Sequence, residues 1–116
     1  MKKLIVWLDD LRDPSNYGLP DALWLKNSSE FMDFINDKGK LYRRVSEWHM
    51  DNDLGEVFEG YDCLSMLEEK FVFGKPPVVD NVKIFVHTSN PSAARKFMIA
   101  ADSFKKFGIE IKQNIY

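Results

Sequence analysis

The chain has 116 residues, 45% of them hydrophobic and 14% aromatic, which is enough for one domain, spanning 1–116, and too apolar for disorder. Its 16 basic and 18 acidic residues leave a net charge of −2, which argues against strong non-specific nucleic-acid binding driven by phosphate neutralisation. No window approaches a membrane span, the first apolar run stops at Asp9 without a small-residue cleavage site, and a single cysteine, Cys63, predicts a cytoplasmic protein with that thiol buried on a helix.

Leu4 to Leu8 is a continuous apolar run closed by Asp9-Asp10, the pattern of a strand buried on both faces. Residues 11–20 hold Pro14, Asn16, Gly18 and Pro20 and predict a loop. Ala22 to Leu25 predicts a short second strand. Asn27, Ser28 and Ser29 are cap residues for a helix whose Phe31, Phe34 and Ile35 share a face, with Gly39 a natural stop. Arg44 to Met50 predicts the third strand. Gly60 precedes a helix with a stripe of Tyr61, Leu64, Leu67 and Phe71, and Gly74, Pro76 and Pro77 make the next loop. Val82 to Val86 predicts a fourth strand. Asn90-Pro91 then opens a helix lined by Ala94, Phe97, Met98, Ala101 and Phe104 and capped by Gly108. Ile109 and Ile111 mark a fifth, short strand. Strands alternating with helices predict an α/β fold with a mainly parallel five-stranded sheet and helices on both sides, the first connection being a loop where a helix would be routine.

Three predicted strand ends carry polar groups that a core does not need: Asp9-Asp10, Asp51-Asn52-Asp53 and His87-Thr88-Ser89-Asn90. In a parallel sheet such ends share one edge, where open α/β folds bind ligands. Asp9, Asp10 and Asp51 are the candidate ligands for a hard divalent cation, Mg²⁺ or Mn²⁺. Asp9 ranks below Asp10, because neighbouring strand residues face opposite ways. His87 is a candidate general acid or base. Asp51 and Asp53 join it as catalytic candidates, with a turn residue the alternative for Asp53. Arg12, Ser89 and Asn90 are the candidate phosphate contacts, although N-capping alone accounts for Asn90. His49, two residues before Asp51, could share its strand face, but packing at the surface or under the sheet edge is the favoured role. Tyr17 is an aromatic available to stack on a base.

The order Trp7-Leu8-Asp9-Asp10-Leu11-Arg12-Asp13-Pro14, then Asp51-Asn52-Asp53-Leu54-Gly55 with Gly60-Tyr61-Asp62, then His87-Thr88-Ser89-Asn90-Pro91, resembles a receiver variant of bacteria and phages, the cyclic-phosphate-processing receiver domain. The resemblance implies a flavodoxin-like, receiver-like three-layer αβα sandwich with its first helix reduced to a loop. It also implies handling of cyclic phosphate ends or cyclic nucleotides. The chain departs from that family at Asn52, where a histidine is usual, and at Ser92-Ala93-Ala94, where a glycine-containing turn is usual. An ordinary receiver would also carry a Lys-Pro pair after its last strand; Lys112 is the nearest match and no proline follows it.

Three functions fit. The first is metal-dependent hydrolysis of a cyclic phosphate on a nucleotide or RNA end. The second is a signalling receiver phosphorylated on Asp51. The third is a non-catalytic nucleotide-binding protein, such as a phage-encoded inhibitory or sequestering factor, which Asn52 in place of a histidine favours.

Overall fold

Five strands form one all-parallel sheet in the order β2-β1-β3-β4-β5 in the computed structural model, which describes residues 3–113. They are β1 (Leu4–Leu8), β2 (Leu23–Leu25), β3 (Val45–Asp51), β4 (Lys83–His87) and β5 (Glu110–Gln113). The helices are α1 (Ser28–Ile35), α2 (Gly60–Glu69), α3 (Pro91–Ile99) and α4 (Ala101–Lys105). This is the α/β parallel sheet that the strand and helix order predicts and the receiver-like, flavodoxin-like fold that the family resemblance implies. Only a single 3₁₀ turn, Pro14–Tyr17, stands between β1 and β2.

The connectivity sorts the two faces of the sheet. The steps β2 to β3, β3 to β4 and β4 to β5 all run in one direction, so right-handed crossovers carry α1, α2 and α3 to the same face. There α1 packs on α2 and α2 on α3. The step β1 to β2 runs the other way, which assigns the loop with the 3₁₀ turn to the opposite face.

The helix-covered face is dry. Val6 and Leu8 of β1, Trp48 and Met50 of β3, Ile84 and Val86 of β4 and Ile111 of β5 join one core with Phe31, Ile35, Leu64, Leu67, Phe97 and Phe104. Trp48 is fully buried against the rings of Phe31 and Phe34, with centroids 5.8 and 6.1 Å away. Each such large side chain contributes about 1.5–3 kcal/mol on burial. Helix α1 starts as expected, with the Asn27 side chain accepting from Glu30 N at 2.8 Å.

Two boundaries differ from the sequence expectation in ways that matter for the site. β3 and β4 each run one residue further, so Asp51 and His87 sit directly opposite each other on the ladder rather than in loops. The expected single helix after Asn90 breaks at Ala100 into α3 and α4. Met98, expected on its buried stripe, is 42% exposed, because it lies one step of about 100° round from Phe97 at the edge of the face set by Ala93, Ala94 and Phe97.

A candidate metal and phosphate site

Asp9, Asp10 and Asp51 each bring a carboxylate oxygen to within 4.8 Å of the others. Asp51 is the last residue of β3 and is 7% exposed. Asp9 follows β1 and is wholly buried. Its Oδ1 accepts from the backbone N–H groups of Leu11 and Arg12, both at 2.9 Å, and its Oδ2 lies 3.6 Å from Arg12 Nη1. Asp10 reaches the same cluster, although alternation along a strand would send it to the other face. The chain has already left β1 and bends at Asp10, and alternation holds only while the backbone is extended. The ranking of Asp9 below Asp10 therefore has no geometric basis: both are present.

Crowded, buried carboxylates resist ionisation. Burial first, and then the nearby charge of Asp9, push Asp51 from its ordinary 3.8 up to about 7, with Arg12 pulling the other way. An all-oxygen donor set of this kind fits Mg²⁺ or Mn²⁺. A cation there removes the repulsion that raises Asp51.

The loop after β3 is shaped to leave room for this cluster. Gly55 has φ +67°, and a Cβ there would sit 3.0 Å from Asp10 Oδ2. Gly60 is tighter still: a Cβ would lie 1.9 Å from the Asp51 carbonyl oxygen, and Gly60 N donates to Asn52 O at 2.8 Å. Only glycine lets α2 start against the backbone that carries Asp51. Glu56 Oε1 accepts from Ser28 N at 2.7 Å and ties the loop to the start of α1. Asp62 accepts from Glu59 N at 2.8 Å at the start of α2. Asp53 is exposed at the rim, and its Oδ1 accepts from Gly55 N at 3.0 Å, the turn role. Asn52 Oδ1 accepts from Tyr61 N at 3.4 Å, so the residue in the usual histidine position is engaged with the first turn of α2.

The opposite wall comes from the end of β4 and the start of α3. His87, Thr88, Ser89 and Asn90 line one cavity of about 500 Å³ with Asp10, Leu11, Arg12, Asp51, Asn52, Asp53 and Gly55. The strand-end residues singled out in the sequence therefore meet in one crevice, except Asp9, which is buried behind it in contact with the acidic cluster. Ser89 is exposed to it. Asn90 Oδ1 accepts from Ser92 N and Ala93 N at 2.9 and 3.3 Å, so its oxygen is spent on the N-cap. Lys112 pairs with Glu110 at 3.3 Å, opposite Phe85 on the ladder and outside the cavity lining.

His49 is the residue that the sequence reading ranked too low. It is buried, and its Nδ1 lies 2.7 Å from His87 Nε2. His49 Nε2 lies 3.3 Å from Glu47 Oε1. Trp7 packs beside both imidazoles, with centroids 5.2 Å from His49 and 5.0 Å from His87. Burial, then the nearness of His49, lowers His87 from 6.5 to about 4, and burial also lowers His49. The signal was present in sequence, since His49 and Asp51 are two apart on one strand and share a face. Tyr17, expected as a base platform, instead stacks on Trp7 at 5.4 Å. Cys63 is buried in α2 as expected, with its thiol pushed up to about 12 by burial, which removes it as a nucleophile. Among the described residues no helix is long and apolar enough to cross a membrane.

No curated protein and no solved structure matches the chain. The sequence profile of the cyclic-phosphate processing receiver domain matches residues 4–103, in which the acidic cluster, the glycine loop and the His87-to-Asn90 turn all fall. The chain belongs to the cyclic-phosphate processing receiver domain family.

Proposed function

We propose that this protein is a metal-dependent phosphoesterase that opens a cyclic phosphate on a nucleotide or an RNA end. The observation that carries this is the cluster of three carboxylates, of which Asp10 and Asp51 face His87 and Ser89 across one cavity beside Arg12 with Asp9 buried behind them. Asp9, Asp10 and Asp51 would hold Mg²⁺ or Mn²⁺, which when bound supplies positive charge to the phosphoryl oxygens and acidifies a water. The chain's own residues do the rest. Arg12, whose guanidinium stands 3.6 Å from Asp9, and the Ser89 hydroxyl bind non-bridging oxygens. Asn90 holds the turn through its cap and offers its amide NH₂ to the phosphate. His87 manages the proton of the attacking water or of the leaving oxygen. Asp53 at the rim assists as a second carboxylate beside Asp51. A cavity near 500 Å³ suits a mononucleotide or a terminal nucleotide, not a long duplex.

A receiver that accepts phosphate on Asp51 is disfavoured because Lys112, the nearest match to a receiver's lysine, pairs with Glu110 away from the cavity. The test is turnover by the purified protein, with Mg²⁺ or Mn²⁺, on cyclic mononucleotides, cyclic dinucleotides and RNA bearing 2′,3′-cyclic ends. Cation-dependent product that disappears in Asp51→Ala is expected. Binding of a nucleotide by calorimetry without any product would replace the esterase with a sequestering protein. Labelling by a small phosphodonor that Asp51→Asn abolishes would restore the receiver.

A further inference from the structure

The second face of the sheet carries a polar row that the proposed reaction uses at one end only. Glu47 and His49 lie two apart on β3, and His87 lies beyond Phe85 on β4, with His49 opposite Phe85 and Asp51 opposite His87. The contacts run in sequence: Glu47 Oε1 to His49 Nε2 at 3.3 Å, then His49 Nδ1 to His87 Nε2 at 2.7 Å. The second is a short hydrogen bond between two buried rings and holds one proton. Trp7 packs beside both rings, and Phe85 stacks on His49 at 4.8 Å, so neither imidazole is loosely held.

We propose that Glu47 and His49 are positioning residues that lock His87 in the Nε2–H tautomer, so that His87 meets the phosphate site as a proton acceptor rather than a donor. This rests on the esterase reading for its catalytic consequence and on geometry alone for the tautomer. A carboxylate only accepts, so the proton between Glu47 and His49 sits on His49 Nε2. A neutral His49 then has a bare Nδ1. That nitrogen can only accept, so the proton in the 2.7 Å bond sits on His87 Nε2. His87 Nδ1 is left with its lone pair. Both rings are buried, His49 to 7% and His87 to 4% exposure, and a dry setting suits the neutral rings that this chain of donors and acceptors requires. Lys3 Nζ lies 3.6 Å from Glu47 Oε2 and pairs with it at the outer end of the row. Within the esterase reading, the nitrogen of His87 left to act is the buried Nδ1, which in this tautomer can only accept a proton, so the leaving oxygen would take its proton from another source, solvent included.

The test is ¹⁵N-histidine NMR at neutral pH on the full chain, reading which ring nitrogens carry protons from their ¹⁵N shifts and long-range ¹H couplings. For the wild type, protonated Nε2 and bare Nδ1 are expected on both His49 and His87. Glu47→Lys puts a donor-only group at the outer end of the row, and both rings should switch to the Nδ1–H form. Glu47→Ala should leave His87 in a mixture of tautomers. In the turnover assay Glu47→Ala is expected to lower kcat by about tenfold or more with KM unchanged, since an acid–base group in the wrong tautomer loses much of its benefit. A wild-type His87 carrying its proton on Nδ1 overturns the proposal, as does a folded Glu47→Lys protein with wild-type tautomers. Tautomers as expected with no turnover on any substrate uphold the positioning network and overturn the esterase reading instead.

Discussion

The two faces of this sheet are built from the same strands and differ in almost every property. The even-numbered residues Val6 and Leu8 of β1, Trp48 and Met50 of β3, and Ile84 and Val86 of β4 lie under three helices and are buried apolar groups. The odd-numbered ones (Trp7, Glu47, His49, Asp51, Phe85, His87), with Asp9 just past β1, form a row of rings and acids roofed among the described residues by the loop with Pro14–Tyr17. The apolar core lies on one face and the candidate site on the other. Replacing the first helix by a loop is what makes this division possible. A full helix would demand apolar partners where the histidines and carboxylates stand, and burying those groups unpaired costs several kcal/mol each.

The sharpest way to break the comparison is to exchange effects between faces. Trp48→Ala should cost about 3–5 kcal/mol of unfolding free energy, because it empties a fully enclosed site between Phe31 and Phe34. Urea denaturation measures this, and a loss under 1 kcal/mol would deny that the even face carries the stability.

Asp51→Asn should do the opposite. Asp51 is raised to about 7, so the folded state holds its proton more tightly than the unfolded chain, and stability is lost as pH climbs from about 4 to 7. Removing the carboxylate in the presence of EDTA should therefore stabilise the protein at pH 8, on the order of 2–4 kcal/mol, with no gain below pH 4. The same variant should lose the rise in Tm that Mg²⁺ or Mn²⁺ gives the wild type.

His87 has the reverse sign. Lowered to about 4, it is neutral in the fold, so its contribution is intact above 6.5 and drains away as pH falls toward 4, by about 3 kcal/mol at most. In the wild type the two trends offset each other between pH 4 and 6.5. His87→Asn should expose the Asp51 trend, with stability falling as pH rises, and Asp51→Asn should expose the His87 trend, rising with pH. Parallel profiles in the two variants would show that these groups do not oppose one another.

The smallest expected effect is at the rim. Gly55→Ala meets both a left-handed backbone and Asp10 Oδ2 at 3.0 Å, and should cost about 1–2 kcal/mol while weakening Mn²⁺ binding, read by the broadening of proton signals near the site. Unchanged Mn²⁺ affinity would separate this loop from the acidic cluster.

Much of the division between faces can be read from the chain itself. Apolar and polar residues alternate from Glu47 to Asp51 in β3, and acids or a histidine close β1, β3 and β4. Those facts are local, and a strand's period of two is a property of its own backbone. The helix starts were equally legible, since Asn27 and Asn90 cap through their own side chains within three residues. The break at Ala100 was not legible, because no glycine or proline marks it.

What the amino-acid order determined alone is which residues share a face and which stand at a strand's end. The tertiary structure decided who meets whom across strands. Register set His87 opposite Asp51 and brought its ring onto His49, and the bend after β1 returned Asp10 to the cluster that alternation would have denied it. Pairing between strands depends on segments dozens of residues apart, and no local period encodes which of them will lie side by side.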